Sequence, residues 1–174
     1  MHAVITENDE SQWNDEPGQR YHFPARYKAL LQPGTRLIYY KGTLRDPKFA
    51  ASRLSPEPHY FATAIAGAFV PDTSSKKGDQ FLPVEQFRRF PEAVPIRLGG
   101  ELFETIPTSL QSNYWRYGVR PISAETYLAI IAAAGLLDSA GGPNQHSRLT
   151  ESRAGSGSST QPGMSAIPSS VRKR

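Results

Sequence analysis

The sequence predicts a small α+β domain, a barrel or open sheet of about five strands with a short helix near each end. Two apolar, strand-like runs, TRLIYYK and HYFATAIAGAFV, and one well-signalled helix near residue 130 carry that prediction. The third observation is a change of composition at Ser139. From there the chain is rich in Ser, Gly and Pro and has no aromatic residue. Its apolar side chains (Leu149, Met164, Ile167, Val171) are too sparse to offset the entropy of ordering. Residues 139–174 are therefore expected to be a disordered tail with a basic tip, VRKR, and residues 1–138 one domain long enough for a real core.

The elements follow in order. HAVIT, His2 to Thr6, reads as a short opening strand, and an acidic loop runs from it to Arg20. PARYKALL reads as a short helix, because Pro24 suits a first helical position and Phe23, Tyr27, Leu30 and Leu31 make one apolar stripe. Thr35 to Lys41 is a strand with Leu37 and Tyr39 on one face and Ile38 and Tyr40 on the other, so both faces are expected to be covered. The polar connection 42–58 is unusually long for a compact domain and is expected to form a lip over a pocket or an open loop. His59 to Val70 suits a sheet centre.

PDTSSKKGD reads as a turn and QFLPVEQFRRF as a strand whose Pro83 predicts an edge or a bulge. VPIRL adds a short strand, and Glu101 with Glu104 reads as a solvated turn. GVRPI is a brief strand before the helix SAETYLAIIAAAG. There Ser123 is the N-cap, Tyr127, Ile130, Ile131 and Ala134 form the buried stripe, and Gly135 ends it.

Charge and composition exclude several function classes. The net charge of +4 is a property of the tail, where five basic residues stand against Glu151. The body balances, but its five N-terminal acids (Glu7, Asp9, Glu10, Asp15, Glu16) leave residues 17–138 with a modest basic excess, which permits nucleic-acid contact. There is no cysteine, so disulfides, thiolate metal sites and a cysteine nucleophile are excluded; a reducing cytoplasm is the expected location. No apolar run reaches transmembrane length and the acidic N-terminus is unlike a signal peptide, so no membrane partner is expected. Four histidines without metal-ligand spacing, no phosphate loop and no nucleophile elbow give an enzyme nothing to stand on. No metal or cofactor is expected.

Aromatic residues beside basic ones remain: Tyr21 with His22, Tyr39 and Tyr40 with Lys41, and Tyr114 and Trp115 with Arg116. Such rings either fill a core or stack on bases, with the cations neutralising phosphates. The ordered set WNDEPGQRYHFPARYKALLQPGTRLIYYKG, YFATAIAGAF and RYGVRPISAETYLAIIAAAG resembles the EVE-like branch of the PUA-like superfamily over about residues 3–136. It is most similar to the modules found N-terminal to HNH nuclease domains in bacterial restriction-type proteins.

The resemblance implies a PUA-like curved sheet of five to six strands, or pseudo-barrel, with flanking short helices. It also implies a reader of a modified cytosine or adenine flipped into an aromatic pocket. By position it implies Trp13, Tyr21, His22, Tyr40 and Trp115 as pocket residues, with Asn113 reading the base edge. Lys41, Arg45, Lys76, Lys77, Arg116 and Arg120 become phosphate contacts. No HNH signature follows in GGPNQHSR, so the chain reads as a non-enzymatic domain whose nuclease, if any, is encoded separately. Modified DNA is the favoured partner; RNA, or a small molecule or protein, stays open as the alternative.

Overall fold

The structure is a computed structural model that describes residues 1–10 and 15–137. The tail boundary and Trp13 therefore lie outside the described residues. Among the described residues nine strands and one α-helix follow one another: β1 (His2–Thr6), β2 (Arg20–Phe23), β3 (Arg36–Lys41), β4 (His59–Ala66), β5 (Val70–Pro71), β6 (Gln80–Pro95), β7 (Arg97–Leu98), β8 (Glu101–Leu102), β9 (Val119–Pro121) and α1 (Ala124–Ala133). Six of them make a curled, mixed sheet in the order β2-β6-β4-β3-β1-β9, with β5 appended to β6 and β7–β8 a separate hairpin. Only the β1–β3 pair is parallel among these neighbours. This curled six-stranded sheet with few short helices is consistent with the pseudo-barrel that the resemblance implies.

Alternation in β3 sorts the core into two layers. Leu37 and Tyr39 join Ile5, Tyr21, Phe23, Tyr27 and Phe61 on the inner face of the curl. Ile38 and Tyr40 join Val4, Tyr60, Phe90 and the α1 stripe of Tyr127, Ile130, Ile131 and Ala134 on the outer face. The Ser123 hydroxyl caps α1 by accepting from the Thr126 N–H at 3.0 Å, and Gly135 takes φ +69°, the left-handed turn that ends the helix.

Three expectations need correction. PARYKALL does not form an α-helix: Ala25–Tyr27 is a single 3-10 turn, with Tyr27 N–H bonding Pro24 O at 3.0 Å and Lys28 N–H bonding Ala25 O at 3.1 Å. The apolar stripe still packs, because Phe23, Tyr27 and Leu31 are buried and Leu30 partly so. Pro83 is not at an edge. Its missing N–H falls where β6 changes partners, residues 80–83 pairing with β2 and residues 84–95 with β4. A bulge does follow it: Glu85 faces Ile65 and Arg88 faces Thr63, and Gln86 absorbs the extra residue at φ 49°. The predicted strand VPIRL is divided, Val94 and Pro95 ending β6 and Arg97–Leu98 opening the hairpin.

The open ends of the curl approach each other through one side chain. The Tyr21 hydroxyl, on β2, donates to Gly118 O, just before β9, at 2.9 Å, and Thr6 N–H bonds the same carbonyl at 2.8 Å. A Cβ on Gly118 would stand 3.3 Å from that hydroxyl oxygen, so the absence of a side chain permits the close approach.

Candidate functional site: two buried ion networks

Two of the expected pocket residues, Tyr40 and Trp115, pack with Tyr114 around an arginine. The Arg120 guanidinium carbon lies 4.6 Å from the Tyr40 ring centroid, 5.2 Å from Trp115 and 5.4 Å from Tyr114. Arg120 is 1% exposed and Glu104 2%. The pair is bidentate, Nε donating to Oε2 and Nη2 to Oε1, both at 2.8 Å. The Tyr60 and Tyr114 hydroxyls donate to the same two oxygens at 2.8 Å, and Arg120 Nη1 donates to Thr6 Oγ1 at 3.0 Å. Burial depresses the Arg120 pKa, and the bonds and charge of Glu104 more than offset it, so the guanidinium titrates above its ordinary value. Burial and the neighbouring carboxylate push the Tyr60 and Tyr114 hydroxyls up, which keeps them neutral donors.

Two expectations are thereby corrected. Arg120 is a buried structural cation rather than a phosphate contact, and Glu104 is its anchor rather than part of a solvated turn. Tyr40 is 3% exposed and Trp115 is half-buried beside it, ring centroids 5.5 Å apart.

A second network lies on the inner face, at the ends of β1, β3 and β4. Lys41 Nζ stands 2.9 Å from both Glu7 Oε1 and Asp9 Oδ1, and 5.7 Å from the Phe61 ring centroid. Arg53, from the 42–58 connection, donates from Nη1 to Asp9 Oδ2 at 2.6 Å, from Nε to Ser55 O at 3.0 Å, and from Nη2 to Gly42 O. Those bonds fix the predicted lip against the acidic stretch. Its middle, Pro47–Ser52, is a 3-10 turn capped by Asp46.

This network is incomplete. Among the described residues, Glu7 Oε2 is buried and without a hydrogen-bond partner, and so is His59 Nε2. His59, 1% exposed, pairs with Lys41 across the β3–β4 ladder, and its Nδ1 stands 2.7 Å from Glu57 O. A carbonyl only accepts, so Nδ1 carries the hydrogen and Nε2 presents a bare lone pair. Burial lowers the His59 pKa and favours this neutral form. Burial raises the Glu7 pKa against the pull of Lys41. Burial also pushes the Asp9 carboxyl up, but the bonds from Lys41 and Arg53 win and hold it below its usual value.

An unpartnered buried acceptor costs about 1–3 kcal/mol, so two beside one lysine mark a place where a donor is wanted. The Phe61 ring centroid lies 5.7 Å from Lys41 Nζ and 6.3 Å from that of His59, and the Tyr39 ring packs on it at 5.4 Å. Sequence reasoning missed Glu7, Asp9, Arg53 and His59. The available signal was His59, a lone histidine opening an otherwise apolar central strand.

The other expected residues disperse. Lys41 is 6% exposed and bound by two carboxylates, so its charge is engaged inside the protein. Tyr21 is a 6% exposed seam residue. The His22 ring stacks on Phe81 at 4.5 Å, and its Nε2 lies 3.1 Å from Asp72 Oδ2. Asn113 is exposed and begins the 3-10 turn Tyr114–Arg116. Arg45, Lys76, Lys77 and Arg116 are exposed.

A groove of about 610 Å³ lies elsewhere, between β6, Leu98, Phe103 and the alanine face of α1, with Glu92 its one charged lining residue. Among the described residues no cluster of His, Asp or Glu is placed to hold a metal ion, and no helix is long and apolar enough to cross a membrane.

No protein-family model matches the chain, and no curated protein matches it. Solved structures of similar shape include Rpa0253 from Rhodopseudomonas palustris, at 14% identity and TM-score 0.48, covering 85% of this chain and 99% of that one. A Pseudomonas putida protein gives 14% identity and TM-score 0.48, covering 77% and 99%. The N-terminal domain of Staphylothermus marinus McrB gives 11% identity and TM-score 0.43, covering 75% and 93%.

Proposed function

We propose that this chain is a non-enzymatic nucleic-acid-binding domain that reads a modified base taken out of the strand. The ordered motifs that resemble EVE-like domains support this reading, as does the curled sheet. The observation that carries it is the pair of unpartnered acceptors among the described residues, Glu7 Oε2 on the carboxylate that binds Lys41 and His59 Nε2 on the strand neighbour of Lys41, near the Phe61 ring. The exocyclic amino group of cytosine or adenine supplies the hydrogens those atoms lack, whereas the carbonyl at the same edge of thymine does not. Flipping costs a few kcal/mol, which stacking and these bonds offset. In this reading the base is held by Glu7, His59 and the inner-face rings, and the Tyr40–Trp115 cage is a support for it.

Titration of the tryptophan fluorescence with short duplexes tests the proposal. Duplexes carrying 5-methylcytosine, 5-hydroxymethylcytosine or N6-methyladenine are compared with the plain sequence. One modification is expected to bind at least tenfold tighter, about 1.4 kcal/mol. Equal, weak binding of all of them overturns the reading. Competition with matched RNA then separates the DNA reader from an RNA-binding one.

A further inference from the structure

We infer that the nucleic-acid backbone crosses the protein over the Tyr21–Gly118 seam, on cations presented by three neighbouring turns. This inference rests on the nucleic-acid reading and deepens it by naming the surface that meets the phosphates. The 3-10 turn Ala25–Tyr27 lies in the middle, with Arg26 exposed and Lys28 half-buried. On one side is the turn between β5 and β6, bearing Lys76 and Lys77. A Cβ on Gly78 there would stand 4.0 Å from Ala25 Cβ. On the other side is the turn bearing Arg116, since a Cβ on Gly118 would stand 3.9 Å from Tyr27 Cε2.

Arg26, Lys28, Lys76, Lys77 and Arg116 have no carboxylate partner among the described residues. The acids nearby are already engaged. Asp79 is 7% exposed and accepts from Ser75 Oγ at 2.7 Å, and Asp72 accepts from Ser74 and faces His22. The contrast with Lys41, Arg53 and Arg120 is sharp, because those three are buried and paired.

Two of these charged groups are held over rings. The Arg26 guanidinium carbon is 4.8 Å from the Tyr27 centroid and Lys28 Nζ is 5.9 Å from that of Phe69. Tyr117, beside Arg116, is 37% exposed and offers a face for stacking on the seam itself. Unpaired cations with an exposed aromatic between them suit a phosphodiester backbone bearing bases, and favour it over an anionic membrane or an acidic protein.

The salt dependence of binding tests this. Each phosphate contact adds about 0.9 to the slope of log K against log salt for a duplex and about 0.7 for a single strand. The variants are Lys76→Gln with Lys77→Gln, Arg26→Gln with Arg116→Gln, and the control Arg88→Gln with Arg97→Gln. Each seam pair is expected to lower the slope by up to about 2 for a duplex, weakening modified and plain oligonucleotides alike and leaving their ratio unchanged. The control pair is expected to leave the slope unchanged. A normal slope in the seam variants, or an equal loss in the control, overturns the surface while the base-reading proposal stands. No salt-dependent oligonucleotide binding by the unaltered chain, or binding only to phosphatidylserine vesicles, overturns both.

Discussion

Glu104 and Glu7 are both carboxylates beside a buried cation, and they differ in how their bonds close. Glu104 accepts four hydrogen bonds on two oxygens, from Arg120, Tyr60 and Tyr114, inside the aromatic outer layer. Glu7 binds Lys41 through Oε1, and Oε2 has no hydrogen-bond partner among the described residues. A buried charge pair is stable only when its remaining lone pairs are met, so the first network reads as architecture and the second as a site. Counting partners separates the two better than counting aromatic rings does.

The largest expected effect breaks the complete network. Glu104→Gln removes the charge that holds Arg120, leaving a guanidinium that is 1% exposed without a counter-ion. Loss of one partner of a buried pair costs about 3–5 kcal/mol. Urea unfolding followed by circular dichroism should show the unfolding free energy fall by that amount. A loss under about 1 kcal/mol would mean that Arg120 finds water, and that the outer network is as open as the inner one.

That comparison also explains what was legible in the sequence. Side-chain period told which residues of Leu37–Tyr40 face which layer, and cap chemistry told where α1 begins and ends, because both are local. The helix at PARYKALL was misread because residues 20–23 pair with β6, a contact made some sixty positions away. The burial of Arg120 was hidden for the same reason. In one dimension Tyr40 and Trp115 read as pocket residues and Arg120 as a phosphate contact, and only the buried Glu104 shows that the guanidinium lies among these rings. His59 and Glu7 gain meaning only when β1, β3 and β4 bring them to one lysine.

A smaller change of stability is expected in the incomplete network, with the larger change in function. His59→Leu removes a bond to the carbonyl of Glu57, an exposed residue, which costs about 1 kcal/mol. The lone pair at Nε2 has no partner to lose. Preference for the modified over the plain duplex should fall at least tenfold, while the salt slope stays as it was. A variant that keeps its preference and loses several kcal/mol instead would make His59 another structural residue, like Tyr60.

The smallest effect lies in the pH dependence of stability. Glu7 has its pKa raised by burial, so the folded chain holds a proton there in a window just above pH 4.5 where the unfolded chain has lost it. Stability from this group is present at low pH and is lost as pH rises through the raised value. His59 acts oppositely. Its lowered pKa means the unfolded chain takes up a proton first, so stability is lost as pH falls below 6.5. Comparing Glu7→Gln with the unaltered chain isolates the first contribution, because His59 is common to both. Their difference in unfolding free energy should change across the window above pH 4.5 and be flat on either side of it. A bound base that donates to Oε2 stabilises the charged carboxylate and so lowers this pKa, and binding in that window should release a proton to the buffer. Calorimetric titration in two buffers of different ionisation enthalpy measures that release. Proton uptake, or identical pH profiles for the two chains, would place the ligand's donor somewhere other than Glu7.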